Sequence, residues 1–386
     1  MVRFGVVAGC VALVVLLAAG CGNSDSGKES DKTLRLGSVF SVTGIGAPFG
    51  PQQLRGARLA ARHVNEAGGI DGARLEILQR NDDSDESKTP QVMRKLIQQD
   101  KVLALLGPTF SNTAAKGDPV ANQLGTPVLA VSNTGPGIVG DCPYPCELIF
   151  RDSLGEEAAI PANIASLLGK QKVSTAVVAY PKEDPFGESS AQIAAKAFAE
   201  DGVAVAAKVE FADPSQLRTL PGSPDALMIT ASSGEAAVEA IKAAREGGFS
   251  GPILGGNAFN SRIAAEKAGS VGKGAQSAAA WYADNPSQEN ADFIHAYKAA
   301  YDEDPDQFAA QAYTGVLLLA QAAEEAGLSS GDLAAERKAL AKVELETPLG
   351  PFRFTSDHDV SQPIWIVAMN GDGGYDLVEK VAPNGP

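Results

Sequence analysis

Short apolar runs alternate along this chain with segments whose apolar residues recur at helical spacing. The first strand is predicted at residues 33–40, where apolar and polar residues alternate, and further strands at residues 75–78, 102–106 and 127–131, the last two as continuous apolar runs. Between the first two strands, Leu54, Ala57, Ala61 and Val64 form one apolar helical face. Continuous apolar runs are typical of strands covered on both faces, and connections of helical length join parallel strands. The pattern predicts βαβ units with right-handed crossovers.

The same alternation resumes after an interruption at residues 141–152. Further strands are predicted at residues 173–180, 204–211, 226–230, 252–254, 278–281, 352–354 and 364–367. Helices are predicted at residues 188–199, 233–246, 287–302 and 307–326. The sequence therefore predicts an α/β protein with two lobes, each a parallel-type sheet flanked by helices.

Length and charge narrow the classes of function. A chain of 386 residues is long enough for two domains, and 44% apolar with 20% charged residues is ordinary for a globular protein. The formal net charge of −15 argues against nucleic acid as a partner and against a basic membrane-binding surface. It does not argue against a small ligand, because a local site can oppose the overall charge.

The N-terminus has the pattern of a secretory signal. A short positive segment ends at Arg3, residues 4–20 are uncharged and largely apolar, and small residues precede Cys21. This resembles the lipobox of bacterial lipoproteins, although Ala18 stands where that motif more often has leucine. We expect a signal peptide at 1–20, a lipid on Cys21 and a flexible tether at 21–32, anchoring an exported protein to the outer face of the cell membrane. A transmembrane anchor is the alternative, but the run is at the short limit for a span.

The cysteines fit an exported protein. Cys10 leaves with the signal peptide and Cys21 carries the lipid, so Cys142 and Cys146 remain. A disulfide between them is expected in an oxidising compartment. The pair is not a metal set without further ligands, and no histidine lies nearby.

Hydroxyl-rich loops follow two neighbouring predicted strands. Residues 109–113 read TFSNT and residues 132–135 read SNTG. In open α/β sheets, ligands bind beyond the carboxyl ends of the strands, and a helix start favours an anion such as a carboxylate. Ser, Thr and Asn are also common in turns and helix caps, so a purely structural role is the alternative for either loop taken alone. Their pairing favours a binding site.

Nothing in the sequence favours catalysis. The three histidines, His63, His295 and His358, are expected on the solvated surface. Without an available base, none of the many serines is a supported nucleophile, so we expect no enzyme, no metal and no cofactor.

Several strings resemble the leucine/isoleucine/valine-binding proteins of ABC importers over about residues 33–380. They are GxGxxxG at 44–50, RGAxLA at 55–60, NxAGGIxG at 65–72, DD at 82–83, and LxGP at 105–108 followed by Ser111. The string at 65–72 is the most specific of them. The resemblance implies a two-lobed type I periplasmic-binding fold with three hinge crossovers. The lobes would be 33–150 with 281–357, and 151–280 with 358–386.

The resemblance also implies a function. Such proteins close on a small ligand, such as an amino acid or related carboxylate, and deliver it to the ABC permease subunits in the membrane. We expect a monomer. A ligand-sensing module for a receptor and a secreted hydrolase are the alternatives. A permease and an ATPase encoded alongside would favour import, and turnover of a bound compound would favour hydrolysis.

Ligand-binding positions are carried over from the same resemblance. Ser111 and Thr134 match the hydroxyls that hold the amino-acid carboxylate, and Ser132 contributes its backbone. Asn112 or Thr113 adds N–H groups from the helix start.

Other matching positions depart from the family. Phe49 and Phe186 stand where it often has tyrosines, and Ser232 where an aromatic residue is common; either phenylalanine would equally suit a core position. Asn257 replaces the glutamate that pairs the ligand's α-ammonium, and offers a carbonyl oxygen without a charge. Because an unpaired buried charge costs several kcal/mol, this predicts that the ligand is not a simple leucine-type zwitterion.

Overall fold

A computed structural model of the chain describes residues 32–327 and 333–382. The predicted signal peptide and the predicted lipid site at Cys21 lie outside the described residues. The described part is built on two large sheets and one small one.

The first large sheet is parallel throughout and has the strand order β2-β1-β3-β4-β5. Its strands are β1 (Thr33–Ser38), β2 (Arg74–Gln79), β3 (Ala104–Leu106), β4 (Val128–Ala130) and β5 (Ile149–Arg151). The connecting helices are α1 (Gly50–Glu66), α2 (Thr89–Gln98) and α3 (Ser111–Gln123). This is the βαβ arrangement that the apolar runs predict, and the loops after β3 and β4 lie at one edge.

The second large sheet is mixed. Its parallel strands are β6 (Thr175–Pro181), β7 (Ala204–Phe211), β8 (Ala226–Ile229), β9 (Ile253–Gly255) and β10 (Gln276–Ala279). Two antiparallel strands complete it at one side, β14 (Ile364–Met369) and β15 (Tyr375–Val381). The sequence predicts a parallel-type sheet here and does not predict β15. The short turn between β14 and β15 enforces antiparallel pairing, because a parallel pair needs a long crossover.

The remaining elements flank the sheets. The helices are α4 (Glu156–Leu168), α5 (Pro185–Glu200), α6 (Gly234–Glu246), α7 (Arg262–Ala268), α8 (Gln288–Tyr301), α9 (Gln307–Glu325) and α10 (Leu333–Leu340). A small antiparallel sheet contains β11 (Glu344–Thr347), β12 (Gly350–Phe354) and β13 (Val360–Ser361). The chain leaves the first large sheet after β5, leaves the second after β10, and rejoins the second at β14.

Helices α1 and α9 approach each other closely on the first large sheet. A β-carbon added at Gly56 would lie 2.1 Å from the carbonyl oxygen of Ala309, which leaves no room for any side chain. The approach aligns the starts of the two helices, so that the rings of Phe49 and Phe308 lie 4.7 Å apart between centroids. The packing of α1 against α9 thus positions two aromatic side chains beside the loops after β3 and β4.

Two of the three histidines are not on the solvated surface. His358 is half-buried, stacks on Phe150 with ring centroids 4.0 Å apart, and has its pKa lowered mainly by burial. His63 is also half-buried, with Nδ1 2.8 Å from the hydroxyl of Tyr313. The prediction is wrong for both, because helices and strands distant in sequence cover them. His295 is exposed, as expected.

The predicted disulfide between Cys142 and Cys146 is present, with the two Cα atoms 6.3 Å apart. It closes a ring of five residues in the segment between β4 and β5. This segment is the interruption that the sequence pattern shows before the chain leaves the first sheet.

Candidate functional site

One cavity collects all eight predicted ligand-binding residues. They come from the start of α1, from the loops after β3 and β4, from the start of α5, and from the loops after β8 and β9. The cavity is lined by Phe49, Thr109, Phe110, Ser111, Asn112, Ser132, Thr134, Phe186, Ala231, Ser232, Asn257, Ala258 and Phe308. Both large sheets therefore contribute walls, and the loops at the carboxyl ends of their strands face each other.

The start of α3 presents hydrogen-bond donors to this cavity. Phe110 precedes the helix and its side chain cannot cap the first N–H groups, which belong to residues 111–113. The hydroxyl oxygen of Ser111 accepts a hydrogen bond from the N–H of Gly135 at 3.0 Å, so its own hydrogen remains available. Together with the helix dipole, these donors suit a carboxylate.

The other hydroxyls of the loops are held by the protein itself. The hydroxyl of Ser132 donates to the carbonyl of Thr109 at 2.7 Å and accepts from Nε2 of Gln53 at 2.7 Å. It has no hydrogen left for a ligand, which agrees with the expected backbone role of Ser132. Ser232 is fixed in the same way, since its N–H and its hydroxyl both donate to Oδ2 of Asp184, at 2.7 and 3.0 Å.

Asn257 does not offer its carbonyl oxygen to the cavity, contrary to the expectation from sequence. Its Oδ1 accepts a hydrogen bond from Nε2 of Gln307 at 2.7 Å. The orientation of Gln307 is set in turn, because its Oε1 accepts from the backbone N–H of Ala280 at 2.7 Å. What remains of the Asn257 side chain is the Nδ2 amino group, which is a donor. The sequence could not reveal this, because Gln307 lies 50 residues away.

Four phenylalanines form the apolar part of the wall. Phe49 is 2% exposed and Phe186 is 8% exposed, so each is a core residue and a cavity residue at once. Phe110 packs edge-on against Phe49, with ring centroids 5.9 Å apart, and Phe308 lies on its other side. Phe110 and Phe308 were not predicted. Phe110 had a signal, since it stands inside the hydroxyl-rich loop; Phe308 reads as an ordinary helix-core residue.

Glu156 lies directly behind the cavity and was also missed. It is fully buried, and its Oε1 accepts a hydrogen bond from the backbone N–H of Asn257 at 3.0 Å. The same oxygen is 3.2 Å from the hydroxyl oxygen of Thr134, while Oε2 has no hydrogen-bond partner among the residues that the structure describes. Burial raises the pKa of this carboxyl to about 7, against the lowering effect of these donors and of Arg151.

The cavity itself carries no charge. Among the residues that the structure describes, every lining side chain is neutral. The free volume is about 30 Å³, which is room for about two water molecules. A larger ligand therefore requires the walls to separate, and the walls belong to different sheets.

A sequence profile for a family described as periplasmic binding protein matches residues 33–374. The chain belongs to this family. A periplasmic binding protein of this kind is an extracytoplasmic solute-binding component of ABC transporters.

Two relatives of this periplasmic binding protein are from Pseudomonas aeruginosa. One, an amino acid binding protein, is 31% identical over 103 residues, which cover 27% of this chain and 28% of the relative. The other, a leucine-, isoleucine-, valine-, threonine- and alanine-binding protein, is 25% identical over 344 residues, covering 85% of this chain and 87% of the relative. Both are named as binding proteins and not as enzymes.

Solved structures agree on the fold. The branched-chain amino acid binding protein LivJ of Streptococcus pneumoniae, in complex with isoleucine, superposes with a TM-score of 0.81 at 26% identity. The match covers 91% of this chain and all of LivJ. A solute-binding protein of R. palustris in complex with benzoate gives 0.77 at 24% identity, covering 91% of this chain and 97% of that one. This periplasmic binding protein thus has the two-lobed type I fold that the resemblance implies.

Within residues 32–327 and 333–382, no helix is both long enough and apolar enough to span a bilayer. The same residues contain no group of three or more His, Cys, Asp or Glu side chains placed to hold a metal ion.

Proposed function

We propose that this protein captures a small carboxylate that lacks an α-ammonium group and has an apolar or aromatic body. The observation that carries the proposal is the neutral cavity: donors at one end, phenylalanines around the rest, and no anion in the wall. Ser111, Asn112 and Thr134, with the α3 N–H groups and the Ser132 backbone, form the polar end. Phe49, Phe110, Phe186 and Phe308 surround the body.

Hydrogen-bond directions favour an anionic group over a cationic one. The Ser111 hydroxyl, the N–H groups at the start of α3 and Nδ2 of Asn257 are all donors without a protein acceptor in the described residues. An ammonium ion placed among these donors would have no counter-ion among the lining side chains, and burying such a charge costs several kcal/mol. A carboxylate accepts from these groups in charge-assisted bonds, which are stronger than neutral ones.

Two solved structures with the same fold contain ligands that differ in their charged groups. LivJ is described with isoleucine, which has both a carboxylate and an ammonium, and the R. palustris protein with benzoate, which has the carboxylate alone. The cavity of this chain has the chemistry for the second kind of ligand.

Capture and delivery follow the two-lobed design. We infer lobes of 33–150 with 281–357 and of 151–280 with 358–386, which separate to admit the ligand and close on it. The protein would act as a monomer, anchored by a lipid on Cys21 with residues 21–32 as tether, and would pass the ligand to the permease subunits of an ABC importer.

Calorimetry with matched acids tests the ligand class. The panel is benzoate, 4-methylpentanoate, its α-keto analogue 4-methyl-2-oxopentanoate, and L-leucine. We expect the acids without an amine to bind more tightly than L-leucine. Ser111→Ala should weaken their binding, because it removes a free hydroxyl donor from the polar end.

Ser287→Ala is the matched control. Ser287 is also a serine at a helix start, and its hydroxyl accepts from the N–H of Asn290 at 3.2 Å, but it does not line the cavity. It should lose a little stability and keep the wild-type affinity. Tight, stereospecific binding of L-leucine that disappears when its amine is acetylated would contradict the proposal.

A further inference from the structure

Thr134 and Glu156 form a hydrogen bond, but the positions of their oxygen atoms do not determine which of the two donates. The two oxygens are 3.2 Å apart, and Thr134 has a single hydroxyl hydrogen. When Glu156 is ionised, Thr134 must donate to it, and only lone pairs of the hydroxyl face the cavity. When Glu156 carries its proton on Oε1, this O–H can donate to Thr134 while the remaining lone pair of Oε1 faces the N–H of Asn257, and the hydrogen of Thr134 then turns toward the ligand.

We propose that Glu156, acting through Thr134, selects the ligand group that the cavity accepts, and that binding a carboxylate takes up one proton. This rests on the proposed function, because it concerns the polar end of the same cavity. Neutral Glu156 makes Thr134 a donor for a carboxylate. Ionised Glu156 makes Thr134 an acceptor, which opposes a carboxylate and suits an N–H group. Glu156 is thus a positioning residue, and the proton comes from solvent.

The surroundings of Glu156 make both states accessible. Its neighbours behind the cavity are mostly apolar or glycine, namely Leu154, Ala159, Ile160, Gly255, Gly256, Ala278 and Ala280. These neighbours disfavour the ionised form, whereas the donors Thr134 and the Asn257 N–H favour it. The balance raises the pKa to about 7, so both forms are populated near neutral pH.

The charged groups around Glu156 are few. Arg151, from the end of β5, is the cation that acts on it, but its guanidinium already binds the carboxylate of Asp359 and the carbonyl of Gly135. The strand β10 and the loop after β9 bring only neutral residues to it. The adjacent Glu157 is exposed to solvent. A ligand carboxylate beyond Thr134 adds a negative charge nearby, which favours the protonated form of Glu156 in the complex.

The test is calorimetry with benzoate, which remains ionised throughout the range from pH 6 to pH 8. In this proposal only the protein with protonated Glu156 binds benzoate, and the pKa of Glu156 is about 7. The apparent Kd should therefore rise about tenfold between pH 6 and pH 8. Titrations at pH 8 in two buffers of different ionisation enthalpy should show uptake of close to one proton. At pH 6 the uptake should be small.

Variants separate the proposed role from a structural one. Glu156→Gln replaces the carboxyl by a neutral amide, whose NH2 group can donate to Thr134 when it takes the place of Oε1, at the cost of the hydrogen bond from Asn257. Because the amide does not titrate, this variant should bind benzoate with the same Kd at both pH values and take up no proton. Thr134→Val should bind weakly at every pH, and Thr134→Ser should restore the wild-type profile. Glu157→Gln removes an exposed neighbouring carboxylate and should leave the pH profile unchanged.

The possible failures are distinguishable. A wild-type Kd that is constant from pH 6 to pH 8, without proton uptake, overturns the role of Glu156 and leaves the ligand class intact. So does a Glu156→Gln variant that keeps the wild-type pH dependence. If none of the acids in the panel binds at any pH, the proposed function itself is overturned, and this inference with it.

Discussion

Replacing Glu156 by glutamine should change the free energy of unfolding in a pH-dependent way. The value for the variant minus that for wild type should be larger at pH 8 than at pH 4. The carboxyl of Glu156 is fully buried, and within residues 32–327 and 333–382 its Oε2 has no hydrogen-bond partner. Burial raises its pKa from an ordinary value of 4.5 to about 7 in the folded protein. At pH values between 4.5 and about 7, the folded chain therefore still holds a proton on Glu156 that the unfolded chain has released.

The sign and the size follow from proton linkage. Below pH 4.5 both states hold the proton, and Glu156 has no pH-dependent effect. Between pH 4.5 and 7 the folded state binds more protons than the unfolded state, so stability falls as the pH rises, and above pH 7 the loss is complete. The difference between a pKa of 4.5 and a pKa of about 7, at about 1.4 kcal/mol per pKa unit, corresponds to a loss of roughly 3–4 kcal/mol, most of which falls between pH 4 and pH 8.

Urea unfolding at several pH values from 4 to 8 measures this difference. Trp281 and Trp365 are both buried, which makes intrinsic fluorescence a suitable signal. The unfolding free energy of Glu156→Gln minus that of wild type should increase by about 3 kcal/mol across the range. Glu157→Gln, an exposed neighbour, should differ from wild type by less than about 0.5 kcal/mol at every pH. A difference for Glu156→Gln that stays constant with pH would refute the reasoning, because Glu156 would then titrate as it does in water.

Four further predictions concern the rest of the molecule. Changing Cys142 and Cys146 together to serine should cost no more than about 2 kcal/mol in urea unfolding, because the ring is so short, and alkylation without reductant should find no free thiol in wild type. Cys21→Ala should move the protein from the membrane fraction to the soluble fraction; a wild type that is already soluble and retains Met1 would contradict the lipid anchor. Gly56→Ala should destabilise by about 1–3 kcal/mol, because its β-carbon meets the Ala309 carbonyl, and an unchanged thermal midpoint would contradict this close approach. The radius of gyration in small-angle scattering should fall when a confirmed ligand is added, and an unchanged value would argue for a site on one rigid lobe.

Much of the fold could be predicted because most buried strands here are short and apolar and are separated by helices with clear periodicity. Strand β7 was predicted with its observed bounds, and helices α6, α8 and α9 to within one residue at each end. Helix α4 was missed because it is alanine-rich, contains Pro161 and is apolar on most sides, so it shows no helical stripe. Strand β15 was missed because its charged, half-exposed sequence YDLVEKV resembles surface loop, and only its pairing with β14 makes it a strand.

Local sequence and a family resemblance were enough to name eight of the residues that line the cavity, because most of them lie in loops or helix starts that follow strands, where the chain order dictates the neighbours. By itself the sequence determined the α/β class, the two hydroxyl-rich loops at one sheet edge, and the presence of asparagine at position 257, where the resemblance implies an acid. Only the tertiary structure decided which hydrogen-bond groups and which contacts those residues present to the cavity. Gln307, 50 residues from Asn257, turns its amide so that a donor remains; Phe308 reaches the cavity because Gly56 lets two helices approach; and Glu156 reaches Thr134 from a helix that the pattern concealed. Hydrogen-bond direction and burial depend on partners distant in the chain, and those are properties of the folded structure.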